Sequence, residues 1–247
     1  MLNNKIQISV ISSSKAKAIR DLHELIHLAE YCPKKVKMLL IKPNVCGMYP
    51  PDIKLLEKIV ETFEPYAESI IIGETNSTMN SPEDRFRRLG ITDLAKRHGV
   101  EARNLMKDSV VKKRVPQPHA MVEVPLPSTV LEADVLINVP GIGRHGTTLL
   151  TCAMKNLFGL IATSSKYASL HPLGVDRVIA DVYQTAKPNL NVVDAGSQIL
   201  VSTDTLGVDM VAAGIMRMDP LAVEHLVLAS RDRGILLENL NINRIIL

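Results

Sequence analysis

The chain has no tryptophan, and aromatic residues account for 3% of its 247 positions. Aliphatic side chains must therefore fill the interior, and little aromatic surface is left for stacking nucleic-acid bases. A strong charge of one sign is missing too. The 29 Lys and Arg against 26 Asp and Glu leave a formal net charge of +3, too small and too scattered to hold a polyanion. The one basic cluster, Lys112-Lys113-Arg114, reads as a solvated loop, and nucleic acid is not an expected partner. Cysteine is sparse: Cys32, Cys46 and Cys152 stand alone without CxxC spacing, so neither a zinc knuckle nor an iron–sulfur loop is encoded. Cys46 reads as a small packing residue and not as a nucleophile. No run approaches the roughly twenty apolar residues of a membrane span, and the N-terminus lacks the charged-then-apolar layout of a signal peptide. These absences lead to the expectation of a soluble, cytoplasmic protein with reduced thiols and no membrane partner.

What is present has the order of an α/β fold. Hydrophobic residues make up 46% of the chain, enough for one large α/β domain or two smaller lobes sharing a cleft. The run Ile6 to Ile11 predicts a strand, and Ser12-Ser13-Ser14 offers caps for a helix to about Glu30 with Ile19, Leu22, Leu25, Ile26 and Ala29 on one face. His23 and His27 lie among Asp21, Glu24 and Glu30 and read as a solvated helix face. Val36 to Ile41 predicts a central strand, Asp52 to Phe63 an amphipathic helix, and Ser69 to Ile72 a third strand. That order predicts a mostly parallel sheet with helices on both faces. Helices are predicted from Pro82 to Leu89 and from a cap at Thr92 to Gly99. Four prolines between Val100 and Pro127, around a strand at Met121 to Val124, mark a bridging region. The predicted organisation is an N-terminal α/β lobe of residues 1–127 and a C-terminal α/β lobe of residues 128–247, around a cleft. The second lobe is predicted to hold helices at Ser128 to Ala133, Leu173 to Ala186 and Leu221 to Arg231. Its strands are predicted at Leu190 to Val193 and Ile199 to Ser202, with a closing strand within Leu236 to Leu247.

The stretch from Val135 to His171 carries the densest set of chemical groups. A strand, Val135 to Val139, breaks at Pro140-Gly141-Ile142-Gly143 and presents Arg144-His145-Gly146. A helix is predicted from Thr147 to Ile161, with Thr148, Thr151, Lys155 and Asn156 on or near one face. Ligands of α/β proteins gather at such places, because loops at the carboxyl ends of strands open into a crevice and helix N-termini offer free N–H groups. Other strand ends supply companions. Lys42-Pro43-Asn44 is either a lysine and an amide aimed at an anionic ligand or a turn with a surface lysine. Gly73-Glu74-Thr75-Asn76-Ser77-Thr78 has the composition of a ligand loop and equally of a solvent loop. Asp194 and Asp204 either order a lysine or a metal, or cap helices. Lys155, beside Met154, Leu157 and Phe158, reads as buried and so needs an acid or an anion, with Asp194, Asp204 and Asp209 as candidate partners. His171 before Pro172 is either a ligand or a turn residue, and His98 and His119 lie in polar contexts.

The run Ala133-Asp134-Val135-Leu136-Ile137-Asn138-Val139-Pro140, then His145-Gly146-Thr147-Thr148 and Lys155-Asn156-Leu157-Phe158-Gly159, resembles the family numbered 362 among domains of unknown function. Lys42-Pro43-Asn44, Gly73-Glu74, Val193-Asp194, Ser202-Thr203-Asp204 and Asp209 fall in that family's order, over roughly Val36 to Gly234. The resemblance implies no settled activity. Members typically have a glycine-rich loop after the strand ending in Val193-Asp194. Here only Ala195-Gly196-Ser197-Gln198 precedes the next strand, which implies a reduced pocket. A remoter likeness is to the lactate racemase family. His145, Lys155 and His171, ten (155 − 145) and sixteen (171 − 155) residues apart, have its His, Lys, His order and spacing. That resemblance implies His145 as an acid/base residue, Lys155 as the covalent anchor of a nickel-pincer nucleotide or as an anion clamp, and His171 as a ligand of nickel or another divalent metal.

Two functions follow. In the first, a metal- or cofactor-dependent enzyme of racemase or redox type binds a small anionic molecule in the inter-lobe cleft. His145 and Lys155 are then catalytic, His171 sits at the metal, and Lys42, Asn44, Glu74, Thr147, Thr148, Asn156, Asp194 and Asp204 hold ligand or cofactor. In the second, the same groups serve a non-catalytic accessory protein that delivers or senses a cofactor or metal. The sequence names no substrate, reaction or oligomeric state.

Overall fold

Apolar runs ending in polar residues resolve into one sheet that both halves of the chain build. The computed structural model describes residues 7–247. In chain order its strands are β1 (Gln7–Ser14), β2 (Val36–Pro43), β3 (Ala67–Glu74), β4 (Glu101–Asn104), β5 (Val110–Arg114), β6 (Glu123–Pro127), β7 (Val135–Val139), β8 (Gly143–His145), β9 (Leu149–Thr151), β10 (Leu190–Asp194), β11 (Gln198–Ser202) and β12 (Asn241–Ile246). Eight form a sheet ordered β12-β1-β11-β10-β7-β2-β3-β4, and the rest pair as β5-β6 and β8-β9. Within the large sheet β11 runs antiparallel to β1 and β10, and the other pairings are parallel. The mostly parallel α/β class expected from the sequence is the observed one. Ile6, expected to open the first strand, lies outside the described residues.

Winding direction places the site. From β2 the chain adds β3 and then β4 on one side, and later returns to set β7 and β10 on the other. The reversal falls between β2 and β7, where loops leaving neighbouring strands diverge and open a crevice.

Successive residues of a strand face opposite ways, and this alternation sorts the core in two. Leu39 and Ile41, Ile70 and Ile72, Ile137 and Val139 pack with the helices Leu22–Leu28, Ile53–Phe63 and Ile91–His98. Leu40, Ile71, Leu136, Val193 and Leu200 pack with the helices Val175–Thr185, Thr205–Ile215 and Glu224–Asp232. Helices thus cover both faces, one layer from each half of the chain. The boundary expected at 127/128 falls between β6 and the helix Ser128–Glu132. The sheet crosses it, with β1 lodged between β11 and β12. Burying one such aliphatic side chain stabilises by about 1.5–3 kcal/mol, so a one-residue slip of β2, which would turn every side chain to the wrong face, is disfavoured many times over.

Several local expectations are corrected. The helix expected to run to Glu30 is two, Lys15–Arg20 and Leu22–Leu28, with Asp21 between them. His23 and His27 are exposed on the second. Gly90 at φ 76°, and not Thr92, is the N-cap of Ile91–His98. Lys112, Lys113 and Arg114 lie on the wholly exposed β5.

The largest departure is at Thr147 to Ile161. In place of one helix there is the β8-β9 hairpin, then a helix confined to Ala153–Leu157 and a 3-10 turn at Phe158–Leu160. β-Branched Thr147, Thr148 and Thr151 favour extended backbone, and Leu149 takes a left-handed φ of 57°. A five-residue helix does not persist on propensity alone. Its start is set from outside: Asp209 on Thr205–Ile215 accepts from Ala153 N–H (2.7 Å) and Met154 N–H (2.9 Å), one per oxygen. Asp209→Asn replaces one acceptor by a donor facing an N–H. We expect a loss of about 2–3 kcal/mol, seen as a lower urea midpoint at unchanged m; an unchanged midpoint would disconnect Asp209 from the helix start.

Candidate functional site

Strand register carries a polar row across the carboxyl ends of the central strands. Lys42 of β2 stands opposite Asn138 of β7, Asn138 opposite Asn191 of β10, and Asn191 opposite Ser202 of β11. All four are fully buried. Side-chain hydrogen bonds link three of them, Lys42, Asn138 and Asn191, through Asn156. Asn138 Nδ2 donates to Asn191 Oδ1 (2.9 Å), Asn156 Nδ2 to Asn138 Oδ1 (2.8 Å), and Lys42 Nζ to Asn156 Oδ1 (3.0 Å). Lys42 Nζ also donates to Pro43 O and to Glu74, each at 2.9 Å. Glu74 in turn accepts from the N–H groups of Val45 (3.3 Å) and Thr75 (3.0 Å). Lys42 has three donors and all are occupied, so the anion that the sequence suggested for it is Glu74, inside the protein. Removing one partner of such a dry pair costs about 3–5 kcal/mol, because the other charge is left buried.

Beside this pair lies a cavity of about 630 Å³. The ends of β2 and β3 and the loops after them form one wall, and residues between His145 and His171 form the other, so both halves of the chain contribute. Glycine is required where the walls meet. A Cβ on Gly143 would lie 2.2 Å from the Tyr49 ring, and one on Gly141 2.5 Å from Tyr49 O. Tyr49 Oη donates to Arg144 O at 3.0 Å, fastening the wall.

The second wall is cationic. Lys155 Nζ sits 4.9 Å from the centroid of the Phe158 ring. Burial pushes its ammonium down to about 8, only partly opposed by the Asp176 carboxylate. Lys166, 8% exposed, donates to the Thr75 hydroxyl and to Gly159 O (3.2 Å). Burial also pushes it down to about 8, with Glu74 acting the other way. His145 Nδ1 accepts from the N–H groups of Thr147 (3.2 Å) and Thr148 (3.3 Å), which leaves the proton of the neutral ring on Nε2. Burial first, then Lys155 and His171, hold its pKa below the ordinary histidine value. His171 stacks on Tyr167 at 4.2 Å between centroids and is lowered by burial and then by Lys155. The Cys46 thiol is pushed up to about 12, by burial before Glu74, and stays protonated, in keeping with a packing residue.

Of the residues picked out from the sequence, Lys42, Asn44, Glu74, His145, Lys155, Asn156 and His171 line this one cavity. The others lie elsewhere. Thr147 is exposed, and Thr148 turns its hydroxyl to Leu150 O (3.3 Å). Asp194 accepts from Lys15 Nζ and from Asp52 N–H, each at 2.9 Å. Asp204 caps Thr205–Ile215 through Gly207 N–H (2.8 Å) and pairs with Arg233. With Asp209 committed to Ala153 and Met154, none of the three acids suggested for Lys155 pairs with it. His98 bonds Glu64 and Glu57, and His119 bonds Asp232. Among the described residues no three His, Cys, Asp or Glu are grouped to hold a metal ion, and no helix is long and apolar enough to cross a membrane. Sequence reasoning missed Lys166, whose Ser- and Thr-rich surroundings carry no periodic signal. Asn138 and Asn191 had one: an asparagine inside an otherwise apolar strand.

These features define an α/β protein with a cation-lined cavity at the winding reversal of its sheet. The chain belongs to the family described as Domain of unknown function (DUF362), whose profile matches residues 39–228. Its fold is similar to that of the lactate racemase apoprotein from Thermoanaerobacterium thermosaccharolyticum, at 15% identity and a TM-score of 0.54, over 85% of this chain and 57% of that one. The chain thus spans a little over half the length of that protein. A Thermotoga maritima protein aligns at 15% identity and a TM-score of 0.43, over 87% and 59% of the two chains. Among curated proteins none matches.

Gly159 brings the backbone against the ion pair: a Cβ there would lie 2.9 Å from Lys42 Nζ and 3.0 Å from Glu74 Oε1. Gly159→Ala must displace the ion pair, and we expect about 1–3 kcal/mol of destabilisation, several degrees in Tm by circular dichroism. Gly146→Ala, whose Cβ would meet nothing within 4 Å, is the control. Equal melting of the two variants would remove the steric constraint.

Proposed function

We propose that the protein binds a small anionic molecule in this cavity and acts on it, with Lys155 as anion clamp and His145 handling a proton at Nε2. The observation that carries this reading is the imbalance of charge. Among the described residues no carboxylate forms a salt bridge with the half-buried Lys155 or the buried Lys166, Asp176 and Glu74 only partly opposing the effect of burial, and such burial is unfavourable until a counter-ion arrives. A neutral imidazole with its proton on Nε2 supplies a hydrogen-bond donor, and burial with Lys155 and His171 keeps its pKa below the ordinary histidine value. The reaction class we favour is of racemase or redox type, at a carbon next to the anionic group.

The donor set suits a cofactor that brings its own metal ligands better than a bare ion, since Lys155 offers one unpaired amine, His171 one imidazole, and no three-ligand group accompanies them among the described residues. A nickel-pincer nucleotide, when bound, supplies a metal that accepts hydride; Lys155 would then be its anchor in place of the anion clamp, and His171 would be a metal ligand. The second reading is a non-catalytic accessory protein that delivers or senses a cofactor or metal. It rests on the same cationic and apolar lining, which suffices for binding without turnover.

Lysine sets the pH dependence. With a pKa of about 8, Lys155 is charged below that pH and loses its proton above it, so affinity for lactate is expected to be level below about pH 7. It should fall by up to about tenfold per pH unit above 8 for each ammonium contact. Calorimetric titration from pH 6 to 10 checks this; affinity rising with pH would sink the clamp. Lys155→Met should abolish binding without lowering Tm. Interconversion of L- and D-lactate, lost in His145→Gln, marks the enzyme, and binding without interconversion marks the accessory protein.

A further inference from the structure

We infer that the cavity is built for a ligand with an acid group at each end of a short carbon chain, one end held by Lys155 and the other by Lys166. This rests on the anion-binding reading above and narrows it to dicarboxylates. Three lysines line the cavity, and one carboxylate, Glu74, lines it with them. Glu74 is matched to Lys42 and to the N–H groups of Val45 and Thr75, which leaves Lys155 and Lys166 without a salt bridge among the described residues, opposed only through space by Asp176 and Glu74.

The two occupy different surroundings. Lys166 is held at the end of β3, where two of its three N–H bonds go to neutral oxygens, the Thr75 hydroxyl and Gly159 O, and one remains. Lys155 lies against Phe158 and acts on His145 and His171. Lys155 is also one of the charges that disfavour the ammonium form of Lys166. A monoanion at either lysine leaves the other desolvated and uncompensated, whereas two linked acid groups answer both. Phe158, Met48 and Tyr167 give the same cavity apolar surface for the carbons between them.

The test compares malonate, succinate and glutarate with propionate, butyrate and valerate at equal ionic strength, by calorimetry and thermal melting of the full chain. We expect at least one dicarboxylate to bind about tenfold or more tighter than its monocarboxylate counterpart. Lys166→Met should erase that advantage while keeping the monocarboxylate affinity. Without ligand, Lys166→Met should melt higher than the wild type, because it removes a buried unpaired cation, whereas Lys42→Met should melt lower. Monocarboxylates that bind as well as dicarboxylates would overturn this inference and leave the anion-binding reading standing. An advantage that survives Lys166→Met, or a lowered Tm in that variant, would likewise overturn it. If neither class binds, both readings fall.

Discussion

The buried ion pair between Lys42 and Glu74 is the contact on which the site depends. It terminates a row of polar side chains that crosses β2, β7, β10 and β11 in register, and Asn156 ties that row to the helix bearing Lys155. An apolar row would close the same sheet, and replacing buried ion pairs by packed aliphatics is often neutral. Directional hydrogen bonds favour one register, because Asn138 meets Asn191 across the strands while Asn156 bridges Asn138 to Lys42. The row therefore fixes not only how the strands pair but where the floor of the cavity lies relative to its cationic wall.

Three lysines within one cavity show how environment separates identical side chains. Lys42 has a carboxylate and neutral acceptors for all its protons and serves the fold. Lys166 has neutral acceptors only, and Lys155 an aromatic face. Burial disfavours the charged form of the last two and pushes both down to about 8.

Much of the fold was legible because strand and helix periods are written in apolar spacing. Val36 to Ile41, Asp52 to Phe63 and Val135 to Val139 needed little else, and the sheet class followed from their order. The stretch from Thr147 to Ile161 was not legible, because its backbone is decided by partners distant in sequence: β8 pairs with β9, and the short helix begins where Asp209 accepts its N–H groups. The site was legible in part for the same reason. Lys42, Glu74, His145, Lys155 and His171 stand at strand ends or beside apolar helix residues, positions that local pattern marks. Lys166 becomes a cavity residue only through Thr75, ninety-one positions away. Lys42 was read as a ligand contact because composition cannot reveal that Glu74 lies opposite it.

Strand β1 has a bearing on how the molecule assembles. Both of its neighbours, β11 and β12, come late in the chain. During synthesis the first strand consequently waits as an unpaired, apolar segment until residue 198 and beyond have emerged, while β2, β3, β4 and β7 already possess their partners. The end of the sheet that holds the cavity can thus form early from local crossovers, and the opposite end is sealed last by contacts of the longest sequence separation, the slow kind.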